Sequence, residues 1–266
     1  MHRSETWRDF TCLPVFHHSD AASSQPTDIR VNRTALWTYC GPLLSLREAD
    51  LPESYHKWQQ TTIEGHLTPR LFSFLTFAHE IVESFGLSNY WLSIRATKST
   101  TEFDVPQWHT DDDFFSSNSD SQSGTLRTQC KILTTLLGPG TLLIQDGAKA
   151  RAIQRKIKHL HGGPGHDHSC SSFFRCTSCM LTTKIIQQKL NPALERLETT
   201  QAMAGQCVLI KTGEQYGTIH STPPIPCDRV FVNIIPGTEH ELRTLTAKYG
   251  MGYPRDWIMG GTNLTM

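Results

Sequence analysis

Between residues 68 and 85 apolar side chains recur at three- and four-residue steps: Leu71, Phe74, Leu75, Ala78, Ile81, Val82 and Phe85. That is the period of a helix with one buried face. Thr68 is placed to cap it, Pro69 suits its first turn and Gly86 can end it. From Asn89 to Thr97 the period drops to two, with Trp91, Ser93 and Arg95 alternating against Tyr90, Leu92, Ile94 and Ala96, which predicts a strand. Further strand-like runs cover residues 129–137, 141–145, 207–211, 217–222 and 228–235. Gly138-Pro139-Gly140 joins the first two of these as a hairpin or a tight strand connection, and Pro223, Pro224 and Pro226 separate the last two. Residues 1 to about 35 read as irregular. Trp37, Tyr39 and Trp58 are suited to covering a core edge, and the tail from Leu242 to Met266 has aromatic residues without a clear period.

Short strands, one long amphipathic helix and Gly/Pro turns predict a mainly β fold with covering helices, α+β in class, built as a β-sandwich or a jelly roll. Residues 147–200 break the pattern: basic first (Lys149, Arg151, Arg155, Lys156, Lys158), then rich in His, Gly and Cys, then helical in tone over 181–197. We read them as an insertion between core strands and a candidate lid, within a single domain spanning 1–266. Residues 116–124, Ser-Ser-Asn-Ser-Asp-Ser-Gln-Ser-Gly, are too polar to pack and predict a mobile surface loop.

Composition narrows the partners. Lys+Arg and Asp+Glu both number 25, so there is no basic field to attract phosphates, and nucleic acid is not an expected partner. No apolar run reaches the length of a membrane span. Eight cysteines in a chain that opens without an apolar leader are expected to be mostly reduced, in a cytoplasmic protein. Nothing in the pattern specifies an oligomeric state.

The chemistry gathers at Gln107-Trp108-His109-Thr110-Asp111-Asp112-Asp113-Phe114-Phe115. On extended backbone residues two apart share a face, so His109 and Asp111 can reach one point. His220, on a separate β-run, is the candidate third ligand, and Arg229 follows on the next strand. Two imidazoles and a carboxylate are the facial ligand set of non-haem Fe(II) oxygenases. With Arg229 placed to pair with a carboxylate, His109, Asp111, His220 and Arg229 over roughly residues 68–236 resemble the 2-oxoglutarate/Fe(II)-dependent oxygenases of the double-stranded β-helix fold. The resemblance implies that His109, Asp111 and His220 hold iron and that Arg229 meets the far carboxylate of 2-oxoglutarate. It further implies that O₂ is consumed in oxidising a second, small organic substrate by hydroxylation, desaturation or cyclisation.

Several neighbours compete for these roles. Asp113 shares the face of Asp111 by spacing, though the family spacing favours Asp111. Lys131 is a second carboxylate partner or a solvated lysine, and Arg95 is another such partner, holds a substrate acid or faces solvent. Trp108, Phe114 and Phe115 wall the pocket or simply pack, and Cys207 and Cys227 are read as small buried residues. Two other functions stay open. A cupin-type iron oxygenase or oxidase would keep the triad without needing Arg229. A zinc-stabilised interaction module would be built on residues 159–179, where His159, His161, His166, His168, Cys170, Cys176 and Cys179 cluster.

Overall fold

Val230, Val232 and Ile234 alternate with Phe231 and Asn233, and the alternation sorts the middle of the protein into two unlike faces. The computed structural model describes residues 10–15, 29–115, 129–161 and 177–260. In chain order they form β1 (Phe10–Val15), β2 (Arg30–Val31), β3 (Ala35–Pro42), α1 (Glu53–Thr62), β4 (Ile63–Glu64), α2 (Thr68–Ser84), β5 (Asn89–Thr97), β6 (Cys130–Leu137) and β7 (Leu142–Ile144). There follow α3 (Gly147–His161), α4 (Thr177–Leu194), β8 (Thr199–Gln201), β9 (Gln206–Lys211), β10 (His220–Ser221), β11 (Arg229–Gly237), α5 (Glu239–Ala247) and β12 (Arg255–Gly260). Seven strands make one antiparallel sheet in the order β1-β9-β6-β11-β5-β3-β12, and β10-β7-β8 make a smaller one. The chain is thus a mixed structure dominated by a large antiparallel sheet.

One face of the large sheet is dry. Val230, Val232 and Ile234 of β11 join Leu92 and Ile94 of β5, Ile132 of β6 and Trp37 of β3 in a cluster with α1 and α2. The helix face predicted from the sequence supplies Leu71, Phe74, Leu75, Ala78 and Val82 to it, all fully buried. At roughly 25 cal/mol per Å² of apolar surface this cluster is the main source of stability. The other face turns towards the small sheet. Directly opposed residues of antiparallel strands share a side, so the register Arg229↔Thr97, Phe231↔Arg95 and Asn233↔Leu133 sets two arginines among these inward residues. Lys131 lies two positions from Leu133 on β6 and joins them.

Several expectations need correction. Residues 35–42 form a strand inside the large sheet, with Trp37 fully buried, where an edge cover was expected. Its near-continuous burial hides the period-two signal. Residues 242–260 hold most of α5 and all of β12, which pairs with β3. Thr68 does not cap α2: it lies within the first turn and its hydroxyl donates to Gln59 Oε1 at 2.8 Å. Gly138-Pro139-Gly140 is a tight connection and not a hairpin, since β6 and β7 belong to different sheets. The basic run after Gly147 is helical, as α3. The Ser-rich loop and most of the His/Cys cluster lie outside the described residues. No described helix is long and apolar enough to cross a membrane.

Candidate metal centre

His109 and His220 are cross-strand partners. Each backbone N–H donates to the other's carbonyl at 3.0 Å, the doubly bonded pair of an antiparallel ladder. Their side chains therefore leave the backbone on the same side, and the ring centroids lie 4.4 Å apart. β10 is held on its other edge by β7, with His220 opposite Leu143. The residues preceding the histidines point the opposite way. Trp108 and Ile219 enter a cluster with Ile144, Ala150, Ile157, Leu190 and Leu194, so α3 and α4 back the segments that carry the imidazoles.

Asp111 completes the group. The three side chains place one ligand atom each within 4.8 Å of one another, and Asp111 Oδ2 is 3.7 Å from His220 Nε2. The backbone carbonyl of Asp111 accepts from Gly213 N–H at 2.9 Å, which ties it to the loop before β10. Both imidazoles are oriented through Nδ1: His109 Nδ1 is 2.7 Å from the carbonyl of Gln107, and His220 Nδ1 is 3.0 Å from that of Thr218. A carbonyl only accepts, so each Nδ1 carries the proton and each Nε2 presents its lone pair. Histidines that ligate metals are normally held through the distal N–H in this way.

The electrostatics fit the same role. Burial, reinforced by the neighbouring His109, pushes the His220 imidazole down to about 4, so it stays neutral and able to ligate at neutral pH. Burial alone would raise the Asp111 carboxyl. Lys131, His220 and His109 together overcome it and hold the group far below the usual carboxylate range. Lys131 Nζ donates to Asp111 Oδ2 at 3.1 Å.

A cavity of about 90 Å³ opens in front of the triad, lined by His109, Asp111 and His220, by Lys131, Arg95 and Arg229, and by apolar residues that include Leu133, Ile225 and Phe231. Arg229 is only 3% exposed. Its Nε donates to the Pro139 carbonyl at 2.8 Å, and its guanidinium lies over the Phe231 ring at 4.5 Å. Gly138 makes that turn possible: its φ is +81°, and an added Cβ would meet the backbone of Asp228 and Arg229. Burial, then repulsion from Arg95, lowers the Arg229 guanidinium to about 9, which leaves it charged at pH 7. Among the described residues no carboxylate forms an ion pair with Arg229 or Arg95.

No protein-family model matches the chain, and no curated protein does. Solved structures similar to it include a novel N-substituted L-amino acid dioxygenase from Burkholderia ambifaria (16% identity, TM-score 0.28), where the match covers 56% of this chain and half of that protein's length. A prolyl-4-hydroxylase from Pseudomonas putida is similar at 10% identity and TM-score 0.33, over 87% of this chain and 94% of that one. The Kdo hydroxylase KdoO, a non-haem Fe(II) alphaketoglutarate-dependent dioxygenase, is similar at 12% identity and TM-score 0.39, over 89% of this chain and 81% of that one. At such remote likeness the chemistry has to be argued from the side chains themselves.

The residues singled out in the sequence fall into clear groups. His109, Asp111 and His220 converge, and Arg229 shares their cavity. Lys131 is an ion-pair partner of Asp111 and not a solvated lysine, and Arg95 lines the cavity. Asp113 is exposed, and its carboxylate sits against Gly213, away from the triad. Trp108 packs behind the histidines, while Phe114 and Phe115 pack with Trp91, Ile235 and Leu242 beside α5; none of the three lines the cavity. Cys207 is fully buried but Cys227 is exposed, contrary to expectation. Phe231 was missed as the platform under Arg229; the i, i+2 spacing on β11 was the available signal.

Proposed function

We propose that this chain is a non-haem Fe(II), 2-oxoglutarate-dependent oxygenase that oxidises a small organic substrate. One observation carries the reading. Two imidazoles fixed by Nδ1–H bonds, each presenting Nε2, meet a carboxylate in a cavity that also holds a buried arginine with no carboxylate paired to it among the described residues. The donor set fits a divalent iron that needs nitrogen and oxygen ligands on one face. The arginine fits a diacid, because a guanidinium buried this deeply calls for an anion.

His109 and His220 supply neutral nitrogen ligands and Asp111 the one anionic ligand. Arg229, braced by Pro139 and Phe231, would hold the far carboxylate of 2-oxoglutarate and so orient its 2-oxo acid end towards the triad. Leu133, Ile225 and Phe231 keep bulk water from the reacting face. Iron and a 2-oxo acid held by these residues would supply, with O₂, an oxidant strong enough for an unactivated C–H bond. The large and small sheets, with the triad at the small one, are how a double-stranded β-helix core would be laid out. Residues 147–200 would be the insertion in it. Their described helices support the histidine segments.

The test is an anaerobic titration of the full chain with Fe(II) and then 2-oxoglutarate. A weak visible charge-transfer band is expected only when both are present, with succinate formed once air is admitted. His220→Ala should abolish the band, and Arg229→Gln should weaken 2-oxoglutarate binding by at least about tenfold. Iron binding without a band or succinate would replace this reading with a cupin-type oxygenase or oxidase.

A further inference from the structure

Arg95 is a cation that the proposed reaction leaves unused. It lies on β5 opposite Phe231, one diagonal step from Arg229, and its side chain lines the cavity shared with the triad. Unlike Arg229, it has no carbonyl bracing it: no hydrogen bond or ion pair to another described residue is made by its guanidinium. The acid that acts on it electrostatically is Glu102, exposed on the turn after β5 and outside ion-pair distance. Partial burial lowers its guanidinium, as expected of a half-buried charge without a close counterion among the described residues.

Counting the charges around the cavity sharpens the point. Among the described residues Lys131, Arg95 and Arg229 face a single carboxylate, Asp111, and Lys131 already occupies it. A divalent ion adds two positive charges and a 2-oxo diacid removes two. The three side-chain cations then still exceed Asp111 by two, and Arg229 among them is buried. Uncompensated charge in such a place is costly, and the remedy is another anion.

We propose that the substrate oxidised at this site is itself an anion, a small organic acid whose carboxylate or other oxyanion is held by Arg95 while Arg229 holds the co-substrate. The inference rests on the oxygenase reading above and adds the charge class of the substrate. No described residue bonds the Arg95 guanidinium, so its Nη groups can be offered to an oxyanion, the fork that suits bidentate pairing. The two guanidinium groups flank Phe231 from adjacent strands, so each anion has its own cation. The acid group would anchor the molecule and leave its C–H bonds towards the triad.

The test uses the full chain loaded anaerobically with Mn(II) and 2-oxoglutarate. The probes are monocarboxylates of three to eight carbons, the matching primary amides and the matching phosphate monoesters. Binding is read from the melting temperature and by calorimetry. Carboxylates or phosphate monoesters should bind, the better series naming the oxyanion, and amides should bind at least about tenfold more weakly. Arg95→Gln should cost the anions at least about tenfold, Arg95→Lys should restore part of it, and neither should change the charge-transfer band with Fe(II) and 2-oxoglutarate. Amides binding as well as acids would overturn the inference, and that comparison needs no variant. So would an Arg95→Gln protein that loses the band, because Arg95 would then belong to the co-substrate. A wild-type chain without any band sinks the oxygenase reading instead, and the acid-against-amide comparison on the Mn(II) protein still judges Arg95.

Discussion

Lys131 and a metal ion compete for the same carboxylate, and replacing the lysine should move two measurements in opposite directions. Lys131 Nζ sits 3.1 Å from Asp111 Oδ2, with the two side chains 14% and 15% exposed. At that separation and an effective dielectric constant of about 20 the attraction is on the order of 5 kcal/mol before desolvation is charged against it. Breaking a buried pair while keeping one ion typically costs about 3–5 kcal/mol. Asp111 is 15% exposed and keeps some hydration, so we expect Lys131→Met to destabilise the metal-free protein by about 2–4 kcal/mol. The same change removes a positive charge next to the metal site and frees the carboxylate. Divalent affinity should therefore rise at least about tenfold, or about 1.4 kcal/mol. Urea unfolding of the metal-free chain at pH 7 gives the first quantity, and Mn(II) titration followed by electron paramagnetic resonance gives the second. A variant that binds Mn(II) more weakly than the wild type would refute the reasoning, because Lys131 would then be supporting the metal site and not opposing it.

Other outcomes follow from the same geometry. His220, pushed down to about 4 from 6.5 by burial and then by His109, stays unprotonated in the fold where the unfolded chain takes up a proton. The metal-free protein should therefore lose stability as pH falls from about 6.5 to about 4, by roughly 3 kcal/mol at 1.36 kcal/mol per unit, and His220→Gln should flatten that slope in urea titrations. Trp108→Ala empties the cluster behind the histidines and should cost about 3–5 kcal/mol, with a parallel fall in Mn(II) affinity; unchanged affinity would show that α3 and α4 do not support the site. Gly213→Ala puts a side chain at a φ of +94° and drives its Cβ into the Asp113 carboxylate. It should destabilise by about 1–3 kcal/mol and loosen the loop whose N–H holds the Asp111 carbonyl, measured as lower melting temperature and weaker Mn(II) binding.

How much of this was readable beforehand depended on which physical signal each residue carries. His109 and Asp111 were legible because i, i+2 spacing on extended backbone is a local relation, and α2 because its apolar period repeats through four turns. That His220 would join them is not local: it lies 109 positions after Asp111 (220 − 111), and only the residue type and its β-run suggested it. β3 and α5 were missed for opposite reasons. β3 is buried on both faces and so loses its alternation, whereas α5 is a short helix announced by the Thr238–Glu241 capping box more than by periodicity. Trp108 was undecidable from sequence because alternation says only that it faces away from His109, and what lies on that side is set by α3 and α4.

The candidate site is thus specified mainly by backbone register. Three relations place its charged and ligating groups: the two-residue step from His109 to Asp111, the doubly hydrogen-bonded pair His109–His220, and the antiparallel register of β11 with β5. None depends on a side chain's own preference, and each is shared with residues on the opposite face that pack into a hydrophobic cluster. Trp108 and Ile219 lock the histidines, as Val230 and Val232 lock Arg229 and Phe231. A one-residue slip in either register would turn the ligands into the core and the core residues into the cavity, at a cost of several buried apolar side chains at about 1.5–3 kcal/mol each. The same packing that stabilises the fold therefore holds two imidazoles, a carboxylate and two arginines around one small cavity, and charges held that rigidly favour ligands that match them.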